Sequence, residues 1–403
     1  MKNTSLLSQP KNTKGIAKRA ADISVSAIKE ISLLASTMND VVSLGWGLPS
    51  FQTPHHIREA AIDSLRNEAS VGKYSLFVGM KELRERIAKR VYKETGLKIN
   101  PNSEIVITVG SIEALHDVLL TLVERGDEII IPSPCFSSHI EQIALCEGKP
   151  IFVPLVEKNN WRLDIDIFKK NITKKTKAIL LTSPVNPTGS VLVEEELCEV
   201  AKLALEHNIY IITDETYNFL LYDGVKQFRL AQIHKLKNLL ITCCTFSKEY
   251  AMTGFRVGYM FGPEEVIFQA LKVHDANTIS APTISQYAAI AALKGSQSQV
   301  QEFVKKFAAR RDLICNRLDK LSSSFSYVKP TGAYYVFPKF KLVSIKTSNE
   351  LVLKLLYEAK VATVPGSAFG PGGEGHIRLS YGGNTSEINE AFDRIEEWLK
   401  NNK

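Results

Sequence analysis

Between residues 104 and 245, short runs of consecutive apolar residues alternate with stretches of helical character. The runs that we interpret as strands are EIVITV, EIIIPSP, KPIFVP, KAILLTSP, IYIITDE and NLLITCCT. They are apolar at successive positions rather than at every second one, which indicates a sheet that is covered on both faces. Helical stretches such as VEEELCEVAKLALEHN separate several of them. The alternation predicts an α/β fold with a large, doubly wound and mostly parallel sheet domain at residues 51–295.

The pattern changes after about residue 300. A long charged helix, QEFVKKFAARRDLICNRLDKL, is followed by two short strand-like runs, GAYYVFP and HIRLSY, and by a closing helix near SEINEAFDRIEEWLK. This pattern predicts a smaller α+β domain over residues 296–403. We expect residues 1–50 to pack with it, which would make the small domain discontinuous. A chain of 403 residues suits two such domains better than one core.

Composition narrows the classes of function. The formal charge of +7 is spread along the chain instead of being concentrated in one arm, so we expect no nucleic-acid partner. No apolar run reaches the roughly 20 residues of a membrane span, so we expect no membrane association. A mild positive charge is compatible with anionic small molecules.

Cysteine and histidine usage points to a cytoplasmic protein without a metal site. The six cysteines form no C-x-x-C pair, and the eight histidines show no ligand spacing. The first 20 residues hold five Lys or Arg and no acidic residue, but they lack the apolar core of a secretory signal. A transit peptide and a frayed basic tail both fit this segment.

Two motifs at predicted strand ends offer polar groups to a ligand. At residues 108–112 a strand passes into a helix through Gly110 and Ser111, and such a turn presents free backbone N–H groups to an anion. A glycine turn with a serine cap explains the same pattern without a ligand. In SPVNPTG, Asn186 stands between two prolines, where an asparagine usually bonds to its own backbone. The rigid flanks favour an amide that is held in place for a ligand.

Two further motifs follow the next strands. Asp214 ends IYIITD and Tyr217 lies three positions later, so a carboxylate and a phenol can address one ligand, although Asp214 could simply cap a helix. Lys248 follows Ser247, and Arg256 lies eight positions beyond Lys248. A charged, unpaired lysine is costly in such apolar surroundings, although a surface loop would also accommodate it.

Together the four motifs offer an anion-binding turn, an amide, a carboxylate, a phenol, an amine and a guanidinium. This set matches the groups of pyridoxal 5′-phosphate.

The order and spacing of these motifs resemble the class I and II aminotransferases with the aspartate aminotransferase fold. The resemblance runs from about residue 15 to the C-terminus, and it is carried by SLGWGLPSFQTP, YSLFVGMKELRERIA, SPVNPTG, FSKEYAMTGFRVGY and VPGSAFGPGGEGHIRLSY. It implies the fold type I of enzymes that use pyridoxal phosphate, with a seven-stranded-type sheet in the large domain. It also implies pyridoxal 5′-phosphate as the cofactor.

The resemblance assigns roles to individual residues. Lys248 would bond to the cofactor aldehyde, and Asp214 would face the pyridine nitrogen. Asn186 and Tyr217 would hydrogen-bond the ring oxygen. Phe136 would stack on the ring, although it could equally be core. The phosphate would be held by Gly110, Ser111, Ile112, Ser247 and Arg256, and by Tyr74 from the neighbouring subunit of a homodimer.

The resemblance also implies a substrate site. Arg378 would clamp the substrate α-carboxylate, with Gly47 and Asn186 beside it. Ile112 stands where some aspartate-active relatives carry a basic residue, which speaks against acidic substrates. Trp46 favours aromatic or apolar substrate side chains, unless it belongs to the core.

The expected reaction moves the amino group of an L-2-amino acid, of the aspartate or aromatic type, to a 2-oxo acid such as 2-oxoglutarate. Ping-pong kinetics are expected. A β-lyase or a decarboxylase on the same fold is the enzymatic alternative. A cofactor-binding regulator is the non-enzymatic one, but only about 15 residues precede the matched region, too few for a folded DNA-binding domain.

Overall fold

The computed structural model describes residues 14–402, and the beginning of the predicted basic tail lies outside them. In chain order the strands are β1 (Val42–Ser43), β2 (Ile105–Thr108), β3 (Glu128–Ser133), β4 (Lys149–Val156), β5 (Arg162–Leu163), β6 (Thr176–Thr182), β7 (Tyr210–Asp214), β8 (Leu240–Thr245), β9 (Gly258–Phe261), β10 (Phe325–Ser326), β11 (Tyr335–Val336), β12 (Lys339–Phe340), β13 (Val361–Ala362), β14 (Val364–Pro365) and β15 (Ile377–Ser380). The α-helices are α1 (Lys18–Ala21), α2 (Ala27–Ser36), α3 (His55–Asn67), α4 (Lys81–Thr95), α5 (Ser111–Leu122), α6 (Ser137–Leu145), α7 (Ile165–Lys170), α8 (Glu194–His207), α9 (Glu264–Thr278), α10 (Thr283–Lys294), α11 (Ser298–Lys320), α12 (Ser348–Tyr357) and α13 (Thr385–Asn401).

The large sheet has the strand order β2-β9-β8-β7-β6-β3-β4-β5. β9 is antiparallel to both of its neighbours and β5 is antiparallel to β4. The other pairs are parallel. All six strands predicted from the sequence are present, and the predicted α/β fold is confirmed. The sequence did not predict β9, a four-residue strand, or β5, a two-residue edge strand that brings the sheet to eight strands instead of seven.

Both faces of this sheet are buried, which explains the continuous apolar runs. In β2, Ile105 and Ile107 pack into the hydrophobic cluster on one face, while Val106 packs into the cluster on the other. All three side chains are fully buried. Because successive side chains of a strand point to opposite faces, a doubly covered sheet needs an apolar residue at each position. Each such burial stabilises the fold by about 1.5–3 kcal/mol relative to exposure.

A further hydrophobic cluster joins the two ends of the chain. It contains Ile31 and Leu44 together with Leu355 and other residues of the C-terminal part. β1 pairs in parallel with β13, with Val42 opposite Val361. A small domain built from both ends of the chain requires such a contact between them. The domain boundaries near residues 50 and 296 stay a prediction.

The carboxyl ends of β2, β6, β7 and β8 meet at one edge of the large sheet. β2 and β8 point the same way because β9 runs antiparallel between them. The loops beyond these ends, the start of α5 and the strand β15 therefore lie where ligands commonly bind in α/β proteins. Among the described helices, none is both long and apolar enough to cross a membrane.

Candidate active site

A cavity of about 780 Å³ opens at this edge of the sheet. It is lined by twelve of the residues predicted from the sequence: Trp46, Gly47, Ser111, Ile112, Phe136, Asn186, Asp214, Tyr217, Ser247, Lys248, Arg256 and Arg378. Gly110 lies next to the lining, against the guanidinium of Arg256. Tyr74 does not line the cavity, and its side chain is 77% exposed on the surface of the single chain.

Lys248 follows the end of β8, and its Nζ donates a hydrogen bond to the carbonyl oxygen of Gly47 at 2.8 Å. Burial, followed by the positive charges of Arg256 and Arg378, lowers the pKa of Lys248 from 10.5 to about 8, against the opposing effect of Asp214. This change increases the neutral fraction of the amine at pH 7 by roughly 300-fold. Because only the neutral amine is a nucleophile or a base, Lys248 is prepared for either role.

Asp214 ends β7, and its carboxylate is held from two sides. Oδ1 accepts hydrogen bonds from the backbone N–H of Thr216 at 3.1 Å and from its hydroxyl at 2.6 Å. Oδ2 lies 3.1 Å from Nε2 of His139, which is fully buried on α6. A carboxylate can only accept, so Nε2 carries the hydrogen of this bond. The two contacts fix the orientation of the carboxylate in the cavity wall.

Arg378 on β15 is buried, at 1% exposure, and it has no carboxylate partner among the described residues. Its Nη1 donates to Oδ1 of Asn186 at 3.1 Å and its Nη2 donates to the carbonyl of Gly45 at 2.6 Å, whereas Nε has no hydrogen-bond partner within residues 14–402. The guanidinium lies over the ring of Tyr335 at 4.5 Å. Burial lowers the pKa of Arg378. A buried guanidinium without a counter-charge costs several kcal/mol, so this site favours an anionic ligand.

Two phenols meet beside this arginine. The hydroxyl oxygens of Tyr217 and Tyr335 are 2.7 Å apart. Burial raises the pKa of Tyr217 well above its ordinary value, so the phenol stays neutral. The hydroxyl of Tyr334 donates to the carbonyl of Gly47 at 2.9 Å, the same oxygen that binds Lys248. A Cβ at Gly47 would lie 2.3 Å from the Tyr335 hydroxyl, so this close approach requires glycine.

The start of α5 forms a concave polar surface with Arg256. Gly110 has φ +88°, and a Cβ there would lie 2.8 Å from Nη2 of Arg256. The same Nη2 donates to the carbonyl of Val109 at 3.1 Å. The hydroxyl oxygens of Ser111 and Thr216 are 3.3 Å apart. Free N–H groups at a helix start, a guanidinium and hydroxyls together are suited to an anion such as a phosphate group.

The mouth of the cavity is mainly apolar. Its exposed apolar lining residues are Leu33, Trp46, Leu48 and Ile112. Trp46 is 49% exposed, so it belongs to this rim and not to the core. Phe136 also lines the cavity, and its ring meets that of His139 edge-on at 5.4 Å between centroids. Stacking of Phe136 on a ligand stays a prediction.

The sequence did not predict His139, Thr216 and Tyr335, which contact predicted residues of this site. Thr216 stands inside the D-E-T-Y motif, where only the carboxylate and the phenol were assigned. His139 and Tyr335 contact Asp214 and Tyr217 across 75 and 118 positions of the chain. Such tertiary contacts leave no local spacing pattern. The adjacent tyrosines in GAYYVFP are the available signal in the sequence, but this run predicts only a short strand.

Comparison with known proteins connects this geometry to a family. A family model of aminotransferases of class I and II matches residues 39–395. The chain belongs to the class I and II aminotransferase family. Enzymes of this family use pyridoxal 5′-phosphate, which is consistent with an amine, a carboxylate and an anion-binding surface in one cavity.

Individual relatives match over nearly their whole length. The aspartate aminotransferase of Pyrococcus abyssi is 40% identical over 383 residues, which are 94% of this chain and 97% of that protein. The aromatic-amino-acid aminotransferase 2 of Thermococcus litoralis is 38% identical, covering 96% of this chain and 99% of that protein. The structure of the Thermus thermophilus aspartate aminotransferase with maleate has a TM-score of 0.90 at 33% identity, covering 95% and 99% of the two chains. These similarities confirm the predicted family and fold, and the protein is an amino-acid aminotransferase.

Proposed function

We propose that the protein transfers the amino group of an L-2-amino acid of the aspartate or aromatic type to 2-oxoglutarate, using pyridoxal 5′-phosphate in a ping-pong cycle. The observation that carries the proposal is that Lys248 and Arg378 face one cavity. The first is an amine with a lowered pKa, and the second is a buried guanidinium without a carboxylate partner in the described chain. Amino transfer needs a base at the substrate Cα and a cation for the α-carboxylate. The proposed donor classes, aspartate and aromatic amino acids, are supported by the names of the two relatives, an aspartate aminotransferase and an aromatic-amino-acid aminotransferase.

The start of α5 fits the cofactor's phosphate. Ser111, Ser247 and Arg256 would hold it together with the free N–H groups of the helix, and Ile112 would add its own N–H. The space depends on Gly110, because a Cβ at this position would meet the guanidinium of Arg256. The charge and donors here match a phosphate dianion.

The cavity wall fits the cofactor's ring. Asp214 would hold the ring nitrogen in its protonated form through the negative charge of its carboxylate. Thr216 and His139 orient the two oxygens for this contact. Asn186 accepts from Arg378 through Oδ1, which leaves Nδ2 to donate to the ring oxygen. Tyr217, a neutral phenol, would donate to the same oxygen.

When bound, pyridoxal 5′-phosphate supplies an aldehyde carbon that bonds to amines and a ring that accepts the electron pair released at the substrate Cα. Nζ of Lys248 takes the proton from Cα, since its lowered pKa lets it act as a base near neutral pH. The carbonyl of Gly47 accepts from this Nζ and so keeps it inside the cavity. Arg378 binds the α-carboxylate and thereby orients the Cα–H bond toward the base.

The proposal includes a homodimer in the cytoplasm, in which Tyr74 reaches the phosphate in the neighbouring subunit. Tyr74, Leu76 and Phe77 are 77%, 64% and 47% exposed, in the segment between α3 and α4. Large apolar side chains that cluster on the surface of a single chain are typical of an interface. All six cysteines are free, as expected of a reducing compartment.

A panel of amino donors tests the proposal with the purified, cofactor-loaded enzyme. Aspartate, glutamate or phenylalanine alone should convert the bound cofactor to its amine form in a single turnover, seen as an absorbance change, and 2-oxoglutarate should reverse it. A β-lyase or a decarboxylase would not accumulate that form. If no donor reacts with 2-oxoglutarate while pyruvate or glyoxylate accepts the amine, the proposed acceptor is wrong.

A further inference from the structure

Four cationic side chains line the cavity, and the proposed function uses three of them. Arg256 is assigned to a phosphate, Lys248 is the reacting amine, and Arg378 binds the α-carboxylate. The fourth is Lys29 on α2. Asp214 is the one acidic residue of the described lining, and the proposed function assigns it to the ring nitrogen of the cofactor. The cavity thus holds a positive charge to which neither residues 14–402 nor the proposed cofactor gives a partner.

Lys29 stands on a face of α2 that forms part of the cavity wall. Lys29, Ser32, Leu33 and Ser36 line the cavity at the three- and four-residue spacing of one helical face. The hydroxyls of Ser32 and Ser36 donate back to the carbonyls of Ile28 and Leu33, each at 2.7 Å. No hydrogen bond or ion pair joins the ammonium of Lys29 to another residue of the described chain. On this face, Lys29 is therefore the donor that remains for a ligand.

The surroundings of Lys29 determine what it can recognise. The rest of the cavity mouth is formed largely by the exposed apolar side chains of Leu33, Trp46, Leu48 and Ile112. An aliphatic or aromatic substrate side chain gains free energy by leaving water for such a surface. A carboxylate loses free energy there unless a cation binds it. Lys29 is the cation of the described lining to which the proposed function assigns no other group.

We propose that Lys29 binds the side-chain carboxylate of dicarboxylic substrates such as aspartate, glutamate and 2-oxoglutarate, and so determines the specificity for them. It would act from α2, while the position that is basic in some aspartate-active relatives is Ile112 here. The inference rests on the proposed function, because a ping-pong enzyme must admit its donor and its acceptor to the same cavity. A long, exposed lysine at the mouth can turn toward a carboxylate and still leave the apolar rim open to an aromatic donor.

Selectivity of the loaded enzyme tests this role. Lys29→Met keeps the length of the side chain and removes its charge. We expect kcat/KM for aspartate, glutamate and 2-oxoglutarate to fall about 5- to 30-fold, between the effects of an exposed ion pair and of a charged hydrogen bond. For phenylalanine and alanine the change should stay below about threefold. Lys29→Arg should retain most of the dicarboxylate activity, and Lys18→Met, at an exposed position on α1, is the matched control.

Binding provides a second readout that is independent of turnover. Maleate carries two carboxylates and no amine, so its Kd, measured by calorimetry, should rise in Lys29→Met by about the same 5- to 30-fold. Added salt should weaken maleate binding more in the wild type than in the variant. Unchanged dicarboxylate selectivity in a folded Lys29→Met enzyme, or equal losses for both substrate classes, would overturn the role of Lys29 alone. A wild-type enzyme that uses no dicarboxylate would overturn it together with the proposed acceptor.

Discussion

Tyr335 joins two parts of the active site that the sequence had presented separately. Its hydroxyl lies 2.7 Å from that of Tyr217, and its ring lies 4.5 Å from the guanidinium of Arg378. The same hydroxyl leaves no room for a Cβ at Gly47. Tyr335 thus contacts the phenol proposed for the cofactor oxygen, the cation proposed for the substrate and the N-terminal segment at Gly47.

Tyr335→Phe removes the hydroxyl and keeps the ring over Arg378. We expect kcat to fall about 3- to 10-fold, because Tyr217 loses one neutral hydrogen bond worth about 0.5–1.5 kcal/mol. The KM for the amino donor should change less than about twofold, since the guanidinium keeps its aromatic neighbour. Steady-state kinetics at saturating 2-oxoglutarate measure both constants. A raised KM with an unchanged kcat would assign Tyr335 to the carboxylate site instead.

Arg378 also acts on Lys248 through its charge. Its positive charge helps to lower the pKa of Lys248 to about 8, so Arg378→Met should raise that pKa toward its ordinary value. The pKa should rise because the ammonium form of Lys248 is less costly once the positive charge of Arg378 is removed. The pH dependence of reductive methylation at Lys248, followed by peptide mass spectrometry on the cofactor-free enzyme, gives the midpoint. Asp214→Asn is the opposite control, because the carboxylate raises the pKa and its loss should lower it. A midpoint that neither variant moves would contradict this account.

At the scale of elements, α5 is held so that its start faces the cavity. Glu113, in its first turn, accepts from the backbone N–H of Val109 and from Nδ1 of His274 on α9 at 2.8 Å. Burial and the negative charge of Glu113 raise the pKa of the neighbouring Asp117 to about 7. One carboxylate oxygen each of Glu113 and Asp117 and a ring nitrogen of His274 lie within 4.8 Å of one another. The sequence did not reveal this polar cluster, because its members come from two distant helices.

The position of the α5 start yields a prediction about cofactor affinity. Gly110→Ala would place a Cβ 2.8 Å from Nη2 of Arg256 at a left-handed φ of +88°. We expect the Kd for pyridoxal 5′-phosphate to rise at least about tenfold, because a contact with the phosphate is worth about 1.5–3 kcal/mol. Gly126→Ala is the matched control, with φ +89° and no atom within 4 Å of the added Cβ. Titration of the cofactor-free enzymes gives both constants, and equal effects would reduce the role of Gly110 to backbone strain.

The elements that the sequence predicted are those whose burial leaves a pattern. Strands such as β6 and β7 are covered on both faces, so they appear in the sequence as unbroken apolar runs. The motif with Asn186 follows β6, and Asp214 ends β7. β9 was missed because four residues beginning with Gly258 are too short to show a period. His139 was missed because its partner, Asp214, is brought to it only by the packing of α6 against the sheet edge. Lys29 lies in a helix with ordinary amphipathic character, and only the folded chain brings it to the cavity.

At the scale of the whole molecule, the cavity draws its walls from distant parts of the chain. Trp46 and Gly47 come from the N-terminal segment and Arg378 from β15, while Asp214 ends β7 and Lys248 follows β8. The segments from the two chain ends share one hydrophobic cluster. A movement of that cluster relative to the sheet would change the distance between the α-carboxylate site and the base. The division into two domains, and closure of the small domain over a bound substrate, stay predictions.

The proposed dimer makes a prediction at this same scale, because Tyr74 would serve the partner's cavity and not its own. Tyr74→Ala should bind pyridoxal 5′-phosphate about 10- to 100-fold more weakly, and Lys248→Ala should be inactive. When these two variants are refolded together, half of the dimers should be hybrids. In each hybrid, one site combines Lys248 of the Tyr74→Ala subunit with Tyr74 of the Lys248→Ala subunit. At a cofactor concentration that leaves Tyr74→Ala largely empty, the mixture should regain about a quarter of the wild-type activity. The control mixture pairs Tyr74→Ala with a Tyr74→Ala, Lys248→Ala double variant and should regain nothing. Absence of recovery, with hybrids verified by native mass spectrometry, would place Tyr74 outside the neighbouring site.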